Sequence, residues 1–181
     1  MIYVIRHGQT KLNQERKYNA RIDEDLNERG VEQAKEAAQR VKDLHIDLAF
    51  CSPLIRTRHT FELLGLSNIP VYYDERIIER DAGELTGKVK TDENFKIFNS
   101  LTETNVYKDC EPLTDVFSRI MSLLTEIEER YADKNVLLVT HGGTSRVIYY
   151  CFNDIPEDKN LAGHVTQNCD VAVYDLKNLR K

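Results

Sequence analysis

One stretch near the start of the chain decides its fold: Ile2-Tyr3-Val4-Ile5-Arg6-His7-Gly8-Gln9-Thr10. A short apolar run that ends in Arg-His-Gly predicts a buried strand, with Arg6 and His7 at the point where the strand leaves the sheet. In open α/β sheets, ligands bind outside the ends of the strands. A guanidinium binds anionic oxygens, and an imidazole attacks or moves a proton near neutral pH. The stretch therefore predicts an anion site with a reactive histidine.

A second strand further along the chain ends in the same way. Val136 to Thr140 is the strongest strand pattern in the chain, and His141-Gly142-Gly143 follows it. Because the ends of parallel strands meet at one edge of a sheet, His7 and His141 are expected to face a single pocket. A lone histidine is more often structural, so the functional interpretation depends on the two strand ends being paired.

Strand and helix patterns alternate along the chain, which predicts an α/β fold. The expected fold class is a three-layer αβα sandwich, with a mostly parallel central sheet and helices on both faces. The remaining predicted strands cover residues 48–51, 71–73 and 171–174. Helical spacing of apolar residues predicts helices over residues 28–43, 53–64, 113–131 and 144–152.

Length and pattern predict one domain over residues 1–181. The polar segment from Lys11 to Asp25 is expected to be a long loop over the exit of the first strand. Ser52 is expected to cap the helix that begins at Pro53. Residues around 84–112 lack a regular pattern, and they are expected to form an insertion that covers the site as a lid.

The 181 residues carry a net charge of -5 at pH 7. This acidic balance argues against nucleic acid or an anionic membrane as a partner, so any phosphate site is a local basic pocket. No signal peptide or membrane-spanning apolar run is recognisable. The four cysteines have no metal-ligand spacing, which favours reduced thiols and a cytoplasmic location. The oligomeric state is left open.

Phosphoryl transfer through an enzyme nucleophile needs an attacking atom, cationic donors around the phosphoryl oxygens, and an acid for the leaving oxygen. His7 would supply the attacking nitrogen, and Arg6 would supply a bidentate clamp. A second clamp is Arg56 or Arg58, near a helix N-terminus that favours anions. His141 would donate a hydrogen bond to the phosphoryl group.

Glu79 is the candidate general acid and base, because neighbouring apolar residues could raise the pKa of its carboxyl group towards neutrality. On the sequence alone, Asp81 and Glu84 are alternatives. No metal-ligand motif is present, so neither a metal nor another cofactor is expected. Further candidate donors to phosphate oxygens are the side-chain amides of Gln9 and Asn13, while Thr10 is either a hydroxyl donor or a core residue.

These residues lie in motifs that resemble those of the histidine phosphatase superfamily, the phosphoglycerate mutase-like proteins, and in particular its phosphatase branch. The resemblance covers nearly the whole chain, with five motifs in the family's order. They are Arg6-His7-Gly8-Gln9-Thr10 with Asn13 (RHGxTxxN), Leu26–Ala34 (LTxxGxxQA), Cys51–Thr57 (SSPLxRA), Glu79–Gly83 (ExDxG) and Leu138–Gly143 with the second histidine. The third motif selects Arg56 over Arg58, and the fourth selects Glu79.

The resemblance implies that His7 becomes a phosphohistidine and that Glu79 protonates the leaving group. Water, assisted by the same glutamate, would then cleave the intermediate. No metal cofactor is implied, and the partner would be a small phosphorylated metabolite. By resemblance, the phosphoryl group would be held by Arg6, Asn13, Arg56 and His141, with Gln9, Thr10 and Gly142 completing the substrate site.

Two branches of the family fit the chain to different degrees. A cofactor-dependent phosphoglycerate mutase has a longer insertion with a paired arginine, whereas the basic residues between Gly87 and Glu111 are all lysines. Hydrolysis is therefore favoured, and mutase activity is the alternative. A non-catalytic phosphate-binding module is less favoured, since all the expected catalytic groups are present. The sequence does not determine which phosphate ester is the substrate.

Overall fold

A five-stranded sheet forms the centre of the computed structural model, which describes residues 1–104 and 106–180. The strands are β1 (Ile2–Arg6), β2 (Leu48–Cys51), β3 (Val71–Tyr73), β4 (Val136–Thr140) and β5 (Val171–Tyr174). Their order across the sheet is β3-β2-β4-β1-β5. The first four run parallel, and β5 pairs antiparallel with β1 at one edge. The predicted strands and their mostly parallel arrangement are confirmed.

Six α-helices occur in the described part of the chain. They are α1 (Lys11–Gln14), α2 (Glu28–Val41), α3 (Ile55–Leu63), α4 (Asp92–Phe98), α5 (Leu113–Tyr131) and α6 (Gly142–Phe152). The helices predicted at 28–43, 53–64, 113–131 and 144–152 are confirmed to within about two residues at each end. Among the described residues, no helix is long and apolar enough to cross a bilayer.

The sheet divides the core into two layers, because successive side chains of a strand point to opposite faces. Val4 and Leu138 belong to one cluster, which α5 and α6 cover with their apolar faces. Ile5 and Val139 belong to the other cluster, which α2 and α3 cover. The inner strands β2 and β4 are buried on both faces, as strands of parallel sheets usually are, whereas the edge strands β3 and β5 are partly exposed. The predicted three-layer sandwich is therefore confirmed.

The prediction of a helix start at Pro53 with Ser52 as its cap is wrong. Helix α3 begins at Ile55, and the capping position is held by Leu54. The hydroxyl of Thr57 donates to the carbonyl oxygens of Ser52 and Leu54, so the chain makes a turn before the helix begins. The Ser52 side chain is consequently free for a different contact, which lies in the site.

The prediction of an uninterrupted loop after β1 is also wrong, because the segment begins with the short helix α1. Thr10 is its N-cap, and Thr10 and Asn13 bond each other's backbone amides in a capping box. No residue of α1 is buried. The sequence shows no apolar periodicity here because this helix is stabilised by its cap and has no buried face.

The segment around 84–112 packs against the loop that follows α1. Tyr18 and Ala20 of that loop form one apolar cluster with Phe98 of α4. The rings of Tyr18 and Phe98 meet edge to face, with centroids 5.3 Å apart. Asn105, which belongs to the expected insertion, lies outside the described residues. The segment is thus joined to the exit of β1 through side chains that are far apart in sequence.

Candidate active site

The pairing of β1 with β4 brings the two strand ends together. Arg6 lies opposite Thr140 in the register, and the amide of His7 donates to the carbonyl oxygen of Thr140 over 2.9 Å. The next residue on β4 is His141, and the centroids of the two imidazole rings are 5.2 Å apart. The expectation that both strands end at one edge of the sheet is confirmed.

The turn after β1 is held by close contact with α2. A Cβ on Gly8 would lie 2.4 Å from the carbonyl oxygen of Gly30, so only glycine allows the helix to approach this turn. The Gln9 amide donates to Gln33, and the Gln9 side-chain oxygen accepts from Asn27, the N-cap of α2. Gln9 therefore ties the turn to α2, and its side chain is engaged there.

A network of hydrogen bonds from Asn19 and Asn168 holds the turn after β1 in place. The hydroxyl of Thr10 is buried and accepts from the side-chain amide of Asn19 over 2.8 Å. The side-chain amide of Asn168 donates to the carbonyl oxygen of His7 over 2.8 Å and to the side chain of Asn13. The hydroxyl oxygen of Thr10 thus accepts hydrogen bonds within the protein. Through Asn168, the chain beyond β1 is tied to the loop before β5.

His7 has the hydrogen bonding of a nucleophile. Its Nδ1 lies 2.7 Å from the carbonyl oxygen of Gly8, which can only accept, so Nδ1 carries the proton. The lone pair is then on Nε2. Burial, with help from the nearby Arg56 and Arg6, holds the pKa of His7 well below its ordinary value of 6.5. The ring is consequently neutral at physiological pH, with Nε2 able to attack.

The guanidinium group of Arg6 has one donor without an acceptor. Its Nη1 donates to the carbonyl oxygen of Thr166 over 2.7 Å. Its Nε–H is buried and has no hydrogen-bond partner among the described residues. A buried donor without a partner costs about 1–3 kcal/mol. An anionic oxygen beside His7 would satisfy this donor.

Arg56 is completely buried and lies next to His141. Its Nη1 and Nη2 donate to the carbonyl oxygens of Ile22 and Ala20, over 2.6 and 2.8 Å. Its Nε donates to Nδ1 of His141 over 3.2 Å. Burial lowers the pKa of Arg56 to about 10, so the group keeps its charge at neutral pH. Arg56 thus connects the loop after α1 to the end of β4.

Both ring nitrogens of His141 are engaged. Because Arg56 Nε always carries a hydrogen, Nδ1 of His141 is the acceptor, and the neutral ring carries its proton on Nε2. That nitrogen lies 2.6 Å from the hydroxyl oxygen of Ser52. Burial, with the charge of Arg56, holds the pKa of His141 well below 6.5. The expected phosphate donor is therefore bonded to Ser52 in this structure.

Glu79 is placed by the N-terminus of α6. Its two carboxylate oxygens accept from the amides of Gly143 and Thr144, each over 3.1 Å, and one of them also accepts from the amide of Arg80. A Cβ on Gly143 would lie only 2.6 Å from the carboxylate, so glycine is required for this approach. The helix N-terminus is a natural site for an anion. The carboxylate is held in one position beside the two histidines.

Some of these groups line a cavity of about 110 Å³, which is smaller than the roughly 300 Å³ at which sites for drug-sized ligands begin. The sequence candidates that line it are Arg6, His7, Asn13, Glu79 and Gly142. The candidates that do not line it are Gln9, Thr10, Arg56 and His141. Within residues 1–104 and 106–180, no three His, Cys, Asp or Glu side chains are grouped so as to hold a metal ion.

The sequence matches the histidine phosphatase superfamily (branch 1) over residues 2–180. The chain belongs to this superfamily. Phosphoserine phosphatase 1 of Hydrogenobacter thermophilus is 28% identical, over 99% of this chain and 87% of its own length. The uncharacterized phosphatase PhoE of Bacillus subtilis is 32% identical, over 78% of this chain and 71% of its own. The prediction that the chain is a phosphoric monoester hydrolase of the phosphatase branch is confirmed.

Solved structures share the fold of this histidine phosphatase. YhfR of Bacillus stearothermophilus is 28% identical and covers 87% of this chain with 81% of its own, at a TM-score of 0.77. The mycobacterial glucosyl-3-phosphoglycerate phosphatase covers 94% of this chain with 87% of its own, at a TM-score of 0.81. Because its identity is only 24%, this second likeness concerns the fold alone.

Three basic residues that line the cavity of this histidine phosphatase are not among the site residues predicted from the sequence, namely Arg80, Lys90 and Arg146. A signal for Arg146 exists, because it is the one charged residue in the helix GGTSRVIYYCF and is only 6% exposed. Arginine is rarely buried without a partner or a function. Arg80 and Lys90 carry no comparable signal, since charged residues are frequent in the loops around them.

Proposed function

We propose that this histidine phosphatase hydrolyses small phosphate monoesters through a phosphohistidine on His7. The observation that carries the proposal is a pair of groups in one cavity: the free Nε2 of His7 and the unpartnered Nε–H of Arg6. The first is a neutral nucleophile, and the second is a cationic donor without an acceptor. A phosphoryl group supplies what each of them lacks.

The reaction takes two steps. In the first, His7 Nε2 forms a bond to phosphorus as the ester P–O bond breaks, and the protonated carboxyl group of Glu79 passes its proton to the leaving oxygen. In the second, a water oxygen attacks phosphorus while Glu79 takes the water proton, the P–N bond breaks and inorganic phosphate leaves. Glu79 suits both steps because α6 holds its carboxylate at the wall of the same cavity.

The phosphoryl oxygens are surrounded by donors from both strand ends in this mechanism. Arg56 keeps one N–H free on each terminal nitrogen after its bonds to carbonyl oxygens. His141 would exchange the Ser52 hydroxyl for a phosphoryl oxygen. Gly142 would add its backbone N–H from the first turn of α6, where amides have no helical partner. The remaining donors are Arg6 and Asn13.

The substrate is a small phosphorylated metabolite. The cavity of about 110 Å³ supports this class, because a protein substrate would need an open surface. The relative named phosphoserine phosphatase 1, which is 28% identical, supports a phosphate ester as the reacting group. Gln9 and Thr10 are better assigned to holding the turn after β1, since their side chains are bonded within the protein.

The enzyme is assigned to the cytoplasm and to a single domain over residues 1–181. The four cysteines, all in the described part of the chain, are free thiols, which supports a reducing compartment. The segment 84–112 is assigned as a cover for the site. Lys90, Phe95 and Phe98 of this segment line the cavity, which supports that assignment.

The phosphoenzyme can be trapped directly. Wild-type protein mixed with p-nitrophenyl [³²P]phosphate and quenched in alkali should carry label that acid releases, because phosphohistidine is stable in base and labile in acid. His7→Ala should carry none. His45→Asn is the matched control, since His45 is exposed and has a positive φ that asparagine tolerates. Label on His7→Ala, or turnover by wild type without label, would overturn the proposal.

The role of Glu79 is tested with two leaving groups. Glu79→Gln should lower kcat for an alkyl phosphate by about 10²- to 10⁴-fold, because the alkoxide needs a proton to leave. The loss of phosphoenzyme formation with p-nitrophenyl phosphate should be much smaller, since nitrophenolate leaves without a proton. Equal losses for both substrates in the first step would remove Glu79 from the role of general acid.

A further inference from the structure

The loop after α1 makes a tight turn over residues 19–22, with Arg21 at its corner. The amide of Ile22 donates to the carbonyl oxygen of Asn19 over 2.9 Å and closes the turn. Ala20 has a φ of 44°, in the left-handed region that residues other than glycine rarely adopt. Such a conformation is strained and persists only where its surroundings hold it. The turn therefore depends on contacts from outside the loop.

Arg56 supplies those contacts. Its two terminal nitrogens donate to the carbonyl oxygens of Ala20 and Ile22, the residues on either side of Arg21. Arg56 is completely buried, whereas the side chain of Arg21 is 42% exposed. The buried arginine thus fixes the backbone on both sides of Arg21, and the Arg21 side chain extends from a backbone that is held in place.

The side chain of Arg21 reaches the segment that carries Glu79. Its Nε donates to the backbone carbonyl oxygen of Glu79 over 3.2 Å, and its Nη2 donates to Oε2 of Glu111 over 3.1 Å. The two acceptors lie 58 and 90 residues away from Arg21 in the sequence. One guanidinium group therefore bridges two distant segments, which the planar fork of arginine allows and the single ammonium of lysine does not.

The backbone at Glu79 is held from two regions of the molecule. The hydroxyls of Thr140 and Thr144 donate to the carbonyl oxygens of the two isoleucines before Glu79, each over 2.7 Å. These hydroxyls belong to β4 and α6. The next carbonyl oxygen along the chain is that of Glu79 itself, and it accepts from Arg21. The loop after α1 thus holds the backbone of the acid residue directly.

Glu111, the second acceptor of Arg21, is itself held in place. Its amide donates to the carbonyl oxygen of Asp81 over 3.1 Å, and its Oε2 accepts from the amide of Asp81 over 3.3 Å. Arg119 of α5 donates to both oxygens of the Glu111 carboxylate, over 2.8 and 3.1 Å. Although burial acts in the opposite direction, these bonds and the charge of Arg119 hold the pKa of Glu111 below its ordinary value of 4.5. Glu111 is consequently an ionised partner for Arg21 at neutral pH.

We propose that Arg21 is a positioning residue for Glu79. It ties the backbone of the general acid to a turn that Arg56 holds, so the acid and the phosphoryl clamp keep a fixed separation and direction. The inference rests on the proposed function, because it takes Glu79 as the group that protonates the leaving oxygen. Arg21 does not line the cavity, so its effect passes through Glu79 and not through contact with the substrate.

Two leaving groups separate this role from a general loss of structure. In Arg21→Met, kcat/KM for glycerol 2-phosphate should fall about tenfold, less than the roughly hundredfold that a misplacement of about 1 Å can cost. For p-nitrophenyl phosphate the fall should be less than about threefold, because nitrophenolate leaves without a proton. kcat/KM is the measure since it reports phosphoenzyme formation, the first step. Equal falls for the two esters would overturn the proposal.

A conservative variant and a matched control sharpen the test. Arg21→Lys should lie between wild type and Arg21→Met, because lysine reaches one of the two acceptors but does not bridge both. Arg16→Met is the control, since Arg16 lies in the same loop, is exposed and makes no side-chain hydrogen bond within residues 1–104 and 106–180. It should keep the wild-type values for both esters. The midpoint of thermal unfolding should hardly change in Arg21→Met, because a partly exposed ion pair contributes little to stability.

The double variant of Arg21→Met and Glu79→Gln gives the decisive comparison. If Arg21 acts through Glu79, its substitution should cause no further loss of kcat/KM for glycerol 2-phosphate once Glu79 is replaced. Losses that multiply would place the action of Arg21 elsewhere and overturn the proposal.

Trapping of the wild-type phosphoenzyme in alkali tests the proposed function separately. Turnover without label would overturn the phosphohistidine on His7. A loss in Arg21→Met that depends on the leaving group and is absent in the Glu79→Gln background would still assign Arg21 to Glu79. A labelled wild type with equal losses for the two esters in Arg21→Met would support the phosphohistidine and overturn the role of Arg21.

Discussion

The ends of β1 and β4 are alike in sequence and different in what the fold does with them. Both strands end in a histidine followed by glycine, and both rings are buried with a lowered pKa. Among the described residues, the imidazole ring of His7 hydrogen-bonds only the carbonyl oxygen of Gly8, through Nδ1, which leaves Nε2 free. His141 has Arg56 on one nitrogen and Ser52 on the other. In the proposed mechanism, the hydrogen-bond partners of the ring, and not the motif, separate the attacking histidine from the orienting one.

The surroundings of the two strand ends extend this difference. The turn after β1 is packed against α2 through Gly8 and Gly30, which holds the nucleophile still. The end of β4 begins α6, whose first amides hold Glu79. In the proposed mechanism, one strand end therefore supplies the attacking atom, and the other supplies the groups that orient donors and hold the acid. Catalysis by positioning needs both to be rigid.

The largest expected effect separates the two histidines. His7→Ala should lower kcat for p-nitrophenyl phosphate by about 10⁴-fold or more, because the covalent route is lost. His141→Ala should lower it by about 10²- to 10³-fold, the range for loss of one oriented donor at a charged oxygen. Steady-state kinetics, with trapping of the phosphoenzyme, measures both.

The two variants should also differ in kind. His141→Ala should still form a labelled phosphoenzyme, only slowly, whereas His7→Ala should form none. A phosphoenzyme in His7→Ala and not in His141→Ala would reverse the assignment of the two strand ends. Similar circular dichroism spectra for both variants would show that the losses do not arise from unfolding.

A smaller effect is expected from the two glycines after β4. Gly143→Ala should displace Glu79, since the new Cβ would lie 2.6 Å from the carboxylate, and kcat for an alkyl phosphate should fall about tenfold to a hundredfold. Gly142→Ala should cost less, because its nearest neighbour is the end of the Arg6 side chain at 3.3 Å. The kinetics of both variants with an alkyl and an aryl phosphate measure this.

Comparison of two leaving groups tests why Gly143→Ala loses activity. If Gly143 acts by holding the acid, the loss in Gly143→Ala should be greater for the alkyl phosphate than for the aryl phosphate. Equal losses for both esters would place the effect of Gly143 in general packing of α6. A larger loss in Gly142→Ala than in Gly143→Ala would contradict the close approach of Glu79.

The smallest expected effect concerns stability against pH. The pKa values of His7 and His141 are held below 6.5 in the folded protein, so below about pH 6.5 the unfolded chain takes up protons that the folded rings exclude. The free energy of unfolding should therefore fall as pH falls from 6.5, by up to about 1.4 kcal/mol per pH unit for each ring. Urea denaturation between pH 5 and 8 measures this slope.

A variant of His7 measures how much of this pH dependence of the unfolding free energy comes from that ring. His7→Gln removes one excluded proton, so its unfolding free energy should fall less steeply below pH 6.5 than that of the wild type. His45→Asn, at an exposed position, is the comparison for a histidine outside the site. The same slope in His7→Gln and wild type would show that His7 is not held neutral by the fold.

Much of the fold and part of the site can be predicted from the sequence, for a local reason. A short apolar run predicts a strand, and a parallel sheet places the ends of its strands at one edge. The sequence therefore predicts that His7 and His141 lie together. Ser52 could not be predicted as the partner of His141, because that contact joins residues 89 apart in sequence. For Arg146, the sequence indicates only a charged residue in an otherwise apolar helix, and not its place in the cavity.

The sequence by itself determined the strand ends, the histidine that follows each of them and the family, since each depends on residues adjacent along one strand and its turn. Only the tertiary structure decided which ring nitrogen is free, where Glu79 sits and which cations share the cavity. These depend on hydrogen bonds between distant segments, such as Arg6 with Thr166, 160 residues apart. Such partners are selected by packing of the whole chain, which no local pattern encodes.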